Sequence, residues 1–129
     1  MKIILKWNPR STQWAYAQSW KIRFMKKETR DLKNSYILQA RMQYKGLPLK
    51  TPLSAYIRVY FWDKRVRDWD NYHKLSMDAL TGIVYDDDSQ IKLATIQIME
   101  VDKKDPRIEI IIDELVNKYN AINKQLIWN

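Results

Sequence analysis

The sequence predicts a single α+β domain over residues 1–129, a mixed β-sheet with helices packed on it, in the order β-α-β-α-β-β-α. Three observations carry this. Leu53–Trp62 alternates without a break: Leu53, Ala55, Ile57, Val59 and Phe61 share one side, and Ser54, Tyr56, Arg58, Tyr60 and Trp62 the other, the period-two pattern of a strand. Two stretches, 28–45 and 71–83, instead repeat their apolar residues at helical spacing. Finally, strand-like and helix-like segments interleave along 129 residues with no repeat, low-complexity tract or linker, a length suited to one core.

Taken in order, Lys2–Trp7 alternates and reads as an opening strand closed by Asn8-Pro9. Residues 10–27 lack clean periodicity and are expected to form a long loop, with a short strand at Trp20–Met25. Residues 28–45 hold no Pro or Gly and many helix formers, with an apolar stripe of Leu32, Tyr36, Ile37, Ala40 and Tyr44. Gly46, Pro48 and Pro52 then mark a turn before the strand Leu53–Trp62. The outer face of that strand is too aromatic for plain solvent, which calls for a helix, a second subunit or DNA against it. Asn71–Ile83 reads as the second helix, with Asp70 as its N-cap and Gly82 near its end. One face carries Tyr72, Leu75, Ser76, Ala79, Leu80 and Ile83 at i, i+3, i+4 spacing, and Asp70, Lys74 and Asp78 stack opposite at i, i+4 and i+8. Ile91–Val101 and Arg107–Asp113 are expected to form a hairpin through Lys103-Lys104-Asp105-Pro106. Leu115, Tyr119, Ile122 and Leu126 suggest a closing helix suited to packing on a second subunit.

Composition excludes several kinds of chemistry. Zero Cys removes disulfides, thiolate metal sites and cysteine nucleophiles, and a lone His73 rules out a histidine-built metal site. Two glycines leave no glycine-rich phosphate loop. No segment is long and apolar enough to cross a membrane, and the N-terminal apolar run Ile3-Ile4-Leu5 stops at Lys6, so the expected location is cytoplasmic and DNA-associated. Any catalysis must rest on carboxylates and lysines.

The net charge of +8 favours a polyanionic partner, and it is unevenly distributed. Residues 1–62 hold 13 basic and 2 acidic side chains, whereas residues 63–88 hold 4 basic and 7 acidic ones, all Asp. On an idealised helix Lys26, Lys27, Arg30, Lys33, Arg41 and Lys45 fall on one side, a solvated face or a stripe that tracks phosphates. Carboxylates repel phosphate, so an aspartate island on a basic chain needs a cation between the two, and an all-oxygen ligand set with open water positions suits Mg2+. Each piece also has a plainer use. Asp68 to Asn71 suits helix capping, Asp86 to Asp88 a polar turn, Lys74 an i, i+4 ion pair, and His73 a surface position.

The run Arg67-Asp68-Trp69-Asp70-Asn71, then Lys74, Asp78-Ala79-Leu80-Thr81 and Asp87-Asp88-Ser89-Gln90, resembles the RusA family of Holliday junction resolvases. The motif similarity covers roughly residues 56–112; Trp69 stands where the family commonly has an aliphatic residue. The resemblance implies a Mg2+-dependent endonuclease, with Mn2+ able to substitute, acting as a homodimer on branched DNA, the four-way junction. It implies Asp68, Asp70 and Asp88 as metal carboxylates, Asp87 as the alternative third ligand, and Lys74 with Asp70 as catalytic residues. Lys26, Arg30, Lys33, Arg65 and Arg67 are the candidate DNA contacts. Small resolvases of this type are similar to those carried by phages and prophages. Two other readings stay open: a non-catalytic binder of branched or single-stranded nucleic acid, and a less selective flap or fork nuclease.

Overall fold

In the computed structural model, which describes residues 1–7, 22–65 and 70–115 (22–29 and 70–72 by backbone alone), strand β1 is Lys2–Lys6 and helix α1 is Ile22–Gln43. Strand β2 (Leu53–Tyr60) leads into helix α2 (Asp70–Leu80), and a 3-10 turn at Asp88–Gln90 opens strand β3 (Ile91–Ile98), which precedes strand β4 (Arg107–Glu114). The four strands form one sheet in the order β1-β4-β2-β3. β4 pairs antiparallel with both β1 and β2, while β3 runs parallel to β2. A mixed sheet with helices on it is therefore observed. The expected closing helix lies outside the described residues.

The expected hairpin is not formed: β4 sits between β1 and β2, and β3 takes the sheet edge. Burial decides this. Ile108, Ile110 and Ile112 of β4 are buried, whereas Lys92, Leu93, Ala94, Thr95, Gln97 and Ile98 of β3 are exposed. The chain leaves β3 for β4 by a corner in which Asp102 Oδ1 accepts from the Lys104 and Asp105 amides (3.2 and 3.1 Å). Helix α1 begins at Ile22, so Ile22–Met25 is helical instead of extended. Nothing between Ile22 and Glu28 breaks a helix, and the run of good helix formers extends the predicted one toward the N-terminus. β2 ends at Tyr60, so the alternation lapses there and Phe61 and Trp62 are both buried.

The core lies between one sheet face and the helices. Ile3, Leu5, Leu53, Ala55, Ile57, Val59, Ile108, Ile110 and Ile112 face Tyr36 and Ala40 of α1 and Met77, Ala79 and Leu80 of α2. Trp7 closes one end, 5.6 Å from Phe61 and 5.3 Å from Trp62 between ring centroids, and its indole donates to the Tyr36 hydroxyl. Helix α1 also seals the outer edge of β1. Gln43 accepts from the Ile4 amide and donates to its carbonyl (2.8 and 2.6 Å), and Gln39 does the same at Lys6 (2.7 and 3.0 Å). Two carboxamides thus stand in for a fifth strand.

The opposite sheet face carries a charge network. Glu109, 5% exposed, accepts from Arg107 Nε and Arg58 Nη2 at 2.9 Å each and lies 3.6 Å from Lys2 Nζ. Arg107 also reaches Asp102 at 2.9 Å and stacks 3.8 Å over the Tyr60 ring. Burial by itself would raise the Glu109 pKa, but the Arg107 hydrogen bond and the charges of Lys2, Arg58 and Arg107 together hold it below the ordinary glutamate value. This network half-covers the aromatic outer face of β2.

Replacing Ile57, buried at the centre of β2, with Ala is expected to cost about 2–4 kcal/mol in urea unfolding. Glu109→Gln should cost on the order of 1–3 kcal/mol at pH 7. Because the folded-state pKa is depressed, the stability that Glu109 contributes is present above its unfolded value of about 4.3 and is lost as pH falls through the folded value. The gap in melting temperature between wild type and Glu109→Gln should therefore close in strong acid; a gap independent of pH would refute the ion-pair account.

Candidate active site

Helix α2 stops because Gly82 adopts φ +83, a left-handed conformation that a side chain would strain. The Ile83 and Val84 amides both return to the Leu80 carbonyl (3.0 Å each). Tyr85 then folds back under the helix and donates to the Met77 carbonyl at 2.5 Å. Burial above all pushes the Tyr85 pKa up, well beyond that of a free tyrosine; a Thr81 contact opposes this, and the carboxylates of Asp88, Asp78 and Asp87 add to it. Those three acids therefore surround the C-terminal end of α2.

Gln90 organises the acidic turn. Its Oε1 accepts from the amides of Asp86 and Asp87 (2.9 Å each), and its Nε2 donates to the carbonyls of Leu49 and Thr51 (2.8 and 3.0 Å). One side chain thereby ties the turn to the segment entering β2. Ser89 Oγ donates to Asp87 Oδ2 at 2.7 Å, and Lys50 lies 3.3 Å from Asp86. Asp87 and Asp88 are neighbouring acids whose titrations are pushed apart. The Ser89 hydroxyl and then Asp88 lower Asp87, whereas Asp88 is raised, first by Asp87 and then by lost hydration and the neighbouring negative charges. The two carboxylates are an all-oxygen donor set of the kind that fits a hard divalent ion.

Beside the turn, a cleft of about 360 Å3 is lined by Lys33 and Arg41 of α1 and by Asp78, Thr81 and Gly82. Part of the basic stripe therefore faces Asp78 and the end of α2 across a cleft. Arg30 and Arg65 are exposed, and the Arg65 amide donates to Asp63 Oδ1 at 3.0 Å. Lys26 is placed on α1 by its backbone alone. Asp68 and Arg67 lie outside the described residues.

The structure does not bring Asp70 and Asp88 together within one chain. Asp70 begins α2, Asp88 lies past its other end, and 11 helical residues span about 15 Å. Because β3 runs parallel to β2, Ile91 lies beside Leu53, at the beginning of β2, and not near Tyr60 at its end. Lys74, exposed, stands one turn into the helix from Asp70. Among the described residues no three of His, Asp or Glu are close enough to hold one metal ion. Sequence reasoning gave no role to Gln90 or Tyr85. Gln90 stood inside the motif, but its four partners become visible only when the two segments meet.

Gln90→Ala should destabilise the fold by about 1–3 kcal/mol in urea and speed amide exchange at Asp86 and Asp87, the two donors it strands. Unchanged exchange there would show that the turn holds itself.

A comparison with curated proteins finds no match to this chain. The family described as Endodeoxyribonuclease RusA matches residues 6–113, a span that begins at the last residue of β1 and takes in both helices, β2, the acidic turn, β3 and all but the last residue of β4. With most of its length matched, the chain belongs to the RusA endodeoxyribonuclease family.

Proposed function

We propose that the protein resolves four-way DNA junctions in recombination and repair, as a Mg2+-dependent homodimer making paired, symmetric cuts by phosphodiester hydrolysis. The observation that carries this reading is the acidic turn Asp86–Asp88, held by Gln90 past the end of α2, whose last turn lines a cleft with Lys33 and Arg41. Acids that repel one another, set against cations that attract phosphate, form an arrangement that a bound divalent ion completes.

Asp68, Asp70 and Asp88 would hold the ion, with Asp87 as the alternative to Asp88. When bound, Mg2+ supplies charge neutralisation at the scissile phosphate and lowers the pKa of a coordinated water. The chain's own groups do the rest. Lys74 projects between the two ends of α2, where its ammonium can orient the attacking water or balance charge on the pentacovalent phosphorus. Lys33 and Arg41 bind and orient the backbone, and Lys26, Arg30, Arg65 and Arg67 extend the phosphate contacts. Because α2 separates Asp70 from Asp88, the site is assembled from two protomers: Asp68 and Asp70 from one, Asp88 from the other. A two-fold axis then gives two identical sites, as two symmetric cuts require.

Asp70→Asn should lower junction cleavage by roughly a hundredfold to a thousandfold while keeping or tightening junction binding, since it removes a negative charge near phosphate. Loss of binding by a folded variant would contradict a catalytic role. A mixture tests the shared site. Asp70→Asn and Asp88→Asn proteins, each inactive alone, should regain single-strand nicking when co-refolded, because half of the sites in each mixed dimer have both acids intact. No regain would put both acids in one protomer's own site.

A further inference from the structure

We propose that Leu47 is an apolar wedge that enters an opened base step at the branch point of the DNA and seats the strand against the acidic turn. The inference rests on branched DNA as the substrate, and it names the group that senses the branch. Leu47 is the most exposed large apolar residue among the described ones, at 84%. A lone exposed leucine on a loose loop needs no explanation. The backbone that carries this one is held on both sides.

Before it, Tyr44 follows the end of α1, its amide donating to the Ala40 carbonyl at 2.9 Å, and its ring packs on the core. The Tyr44 hydroxyl donates to the Leu47 carbonyl. Gly46 permits this, because a Cβ there would stand 3.1 Å from the Tyr44 hydroxyl. After it, Pro48 favours extended backbone at Leu47, and the Leu49 amide donates to the Val84 carbonyl at 2.8 Å. The Leu49 carbonyl accepts from Gln90 at 2.8 Å, the same side chain that holds the Asp86 and Asp87 amides. The fold thus fixes the backbone of a residue whose side chain it leaves in water. A group ordered in advance loses less freedom on binding.

The surroundings fit a base step. Lys45 and Lys50, both exposed, flank Leu47 along the chain, and Lys50 lies 3.3 Å from Asp86. An apolar group between cations complements DNA opened at a step, where apolar base faces lie between two phosphate backbones. Opening a step costs least where stacking is already interrupted, as it is where arms meet, so a wedge favours a branch over a continuous duplex. From Leu47 to Leu49, which Gln90 binds, the chain spans at most about 7 Å. A strand held at Leu47 therefore lies beside the turn that carries Asp86, Asp87 and Asp88.

The test is the emission of an aminopurine base placed at the branch point of a four-way junction, read without divalent metal. Stacking quenches this probe, so wild type should raise its emission on binding. Leu47→Ser should lose most of that rise and bind the junction about tenfold more weakly, with linear duplex bound as before. Leu47→Met, which keeps a long apolar side chain, should keep the rise. Urea unfolding should not separate either variant from wild type, since the fold leaves this side chain exposed. A wild type that leaves the emission flat, or a Leu47→Ser protein that raises it fully, would overturn the proposal. So would a change in mass for Leu47→Ser by light scattering without DNA, which would make Leu47 a contact between copies. Cutting under Mg2+ with no rise in emission removes the wedge and leaves the nuclease reading; a rise that depends on Leu47 with no cutting does the reverse.

Discussion

Parallel pairing of β2 with β3 is the constraint on which the arrangement of this molecule depends. Parallel neighbours start at the same end of a sheet, so the chain must travel back the length of β2 before β3 can begin. Helix α2 makes that return, and its two ends carry the two acidic groups: Asp70 at the entry and Asp88 beyond the exit. Gly82 ends the helix, Tyr85 locks the turn to Met77, and Gln90 fastens it to the segment before β2. A hairpin in place of this crossover would have put the acids elsewhere and left Lys74 without its intermediate position.

Charge is handled differently on the two faces of the sheet. On the open face Glu109 is buried and fully compensated by Arg58, Arg107 and Lys2, so its ionised form is part of the fold. Past the end of α2, no ion pair to Asp87 or Asp88 is formed among the described residues, and the two acids push each other's titrations apart. The first arrangement is satisfied by the protein alone. The second is exposed to solvent, and perturbed acids of this kind are candidates for a binding role.

Most of the elements were legible in the sequence because burial on one face imposes a period. The alternation in β2, the stripe of Tyr36 and Ala40 in α1, and the stop at Gly82 are all local facts that survive folding. What was not legible is relational. β3 and β4 carry similar alternation, and only the choice of which strand is buried on the inner face, Ile108, Ile110 and Ile112, puts β4 inside and β3 at the edge. Trp62 follows the strand pattern in sequence but lies past the last strand residue, where the backbone turns it inward. The candidate site suffered the same limit. Spacing along the chain grouped Asp70, Lys74 and Asp78 and the family resemblance added Asp88, but the direction of β3 relative to β2 decides the distance between Asp70 and Asp88.

The glutamines of α1 have a consequence for the limits of assembly. A sheet with two bare rims can add copies indefinitely and grow into a fibre, because every addition exposes a new rim. Here Gln39 and Gln43 occupy the Ile4 and Lys6 backbone groups that a further strand beside β1 would need. Two uncharged side chains on a helix thus take the β1 rim out of any such growth.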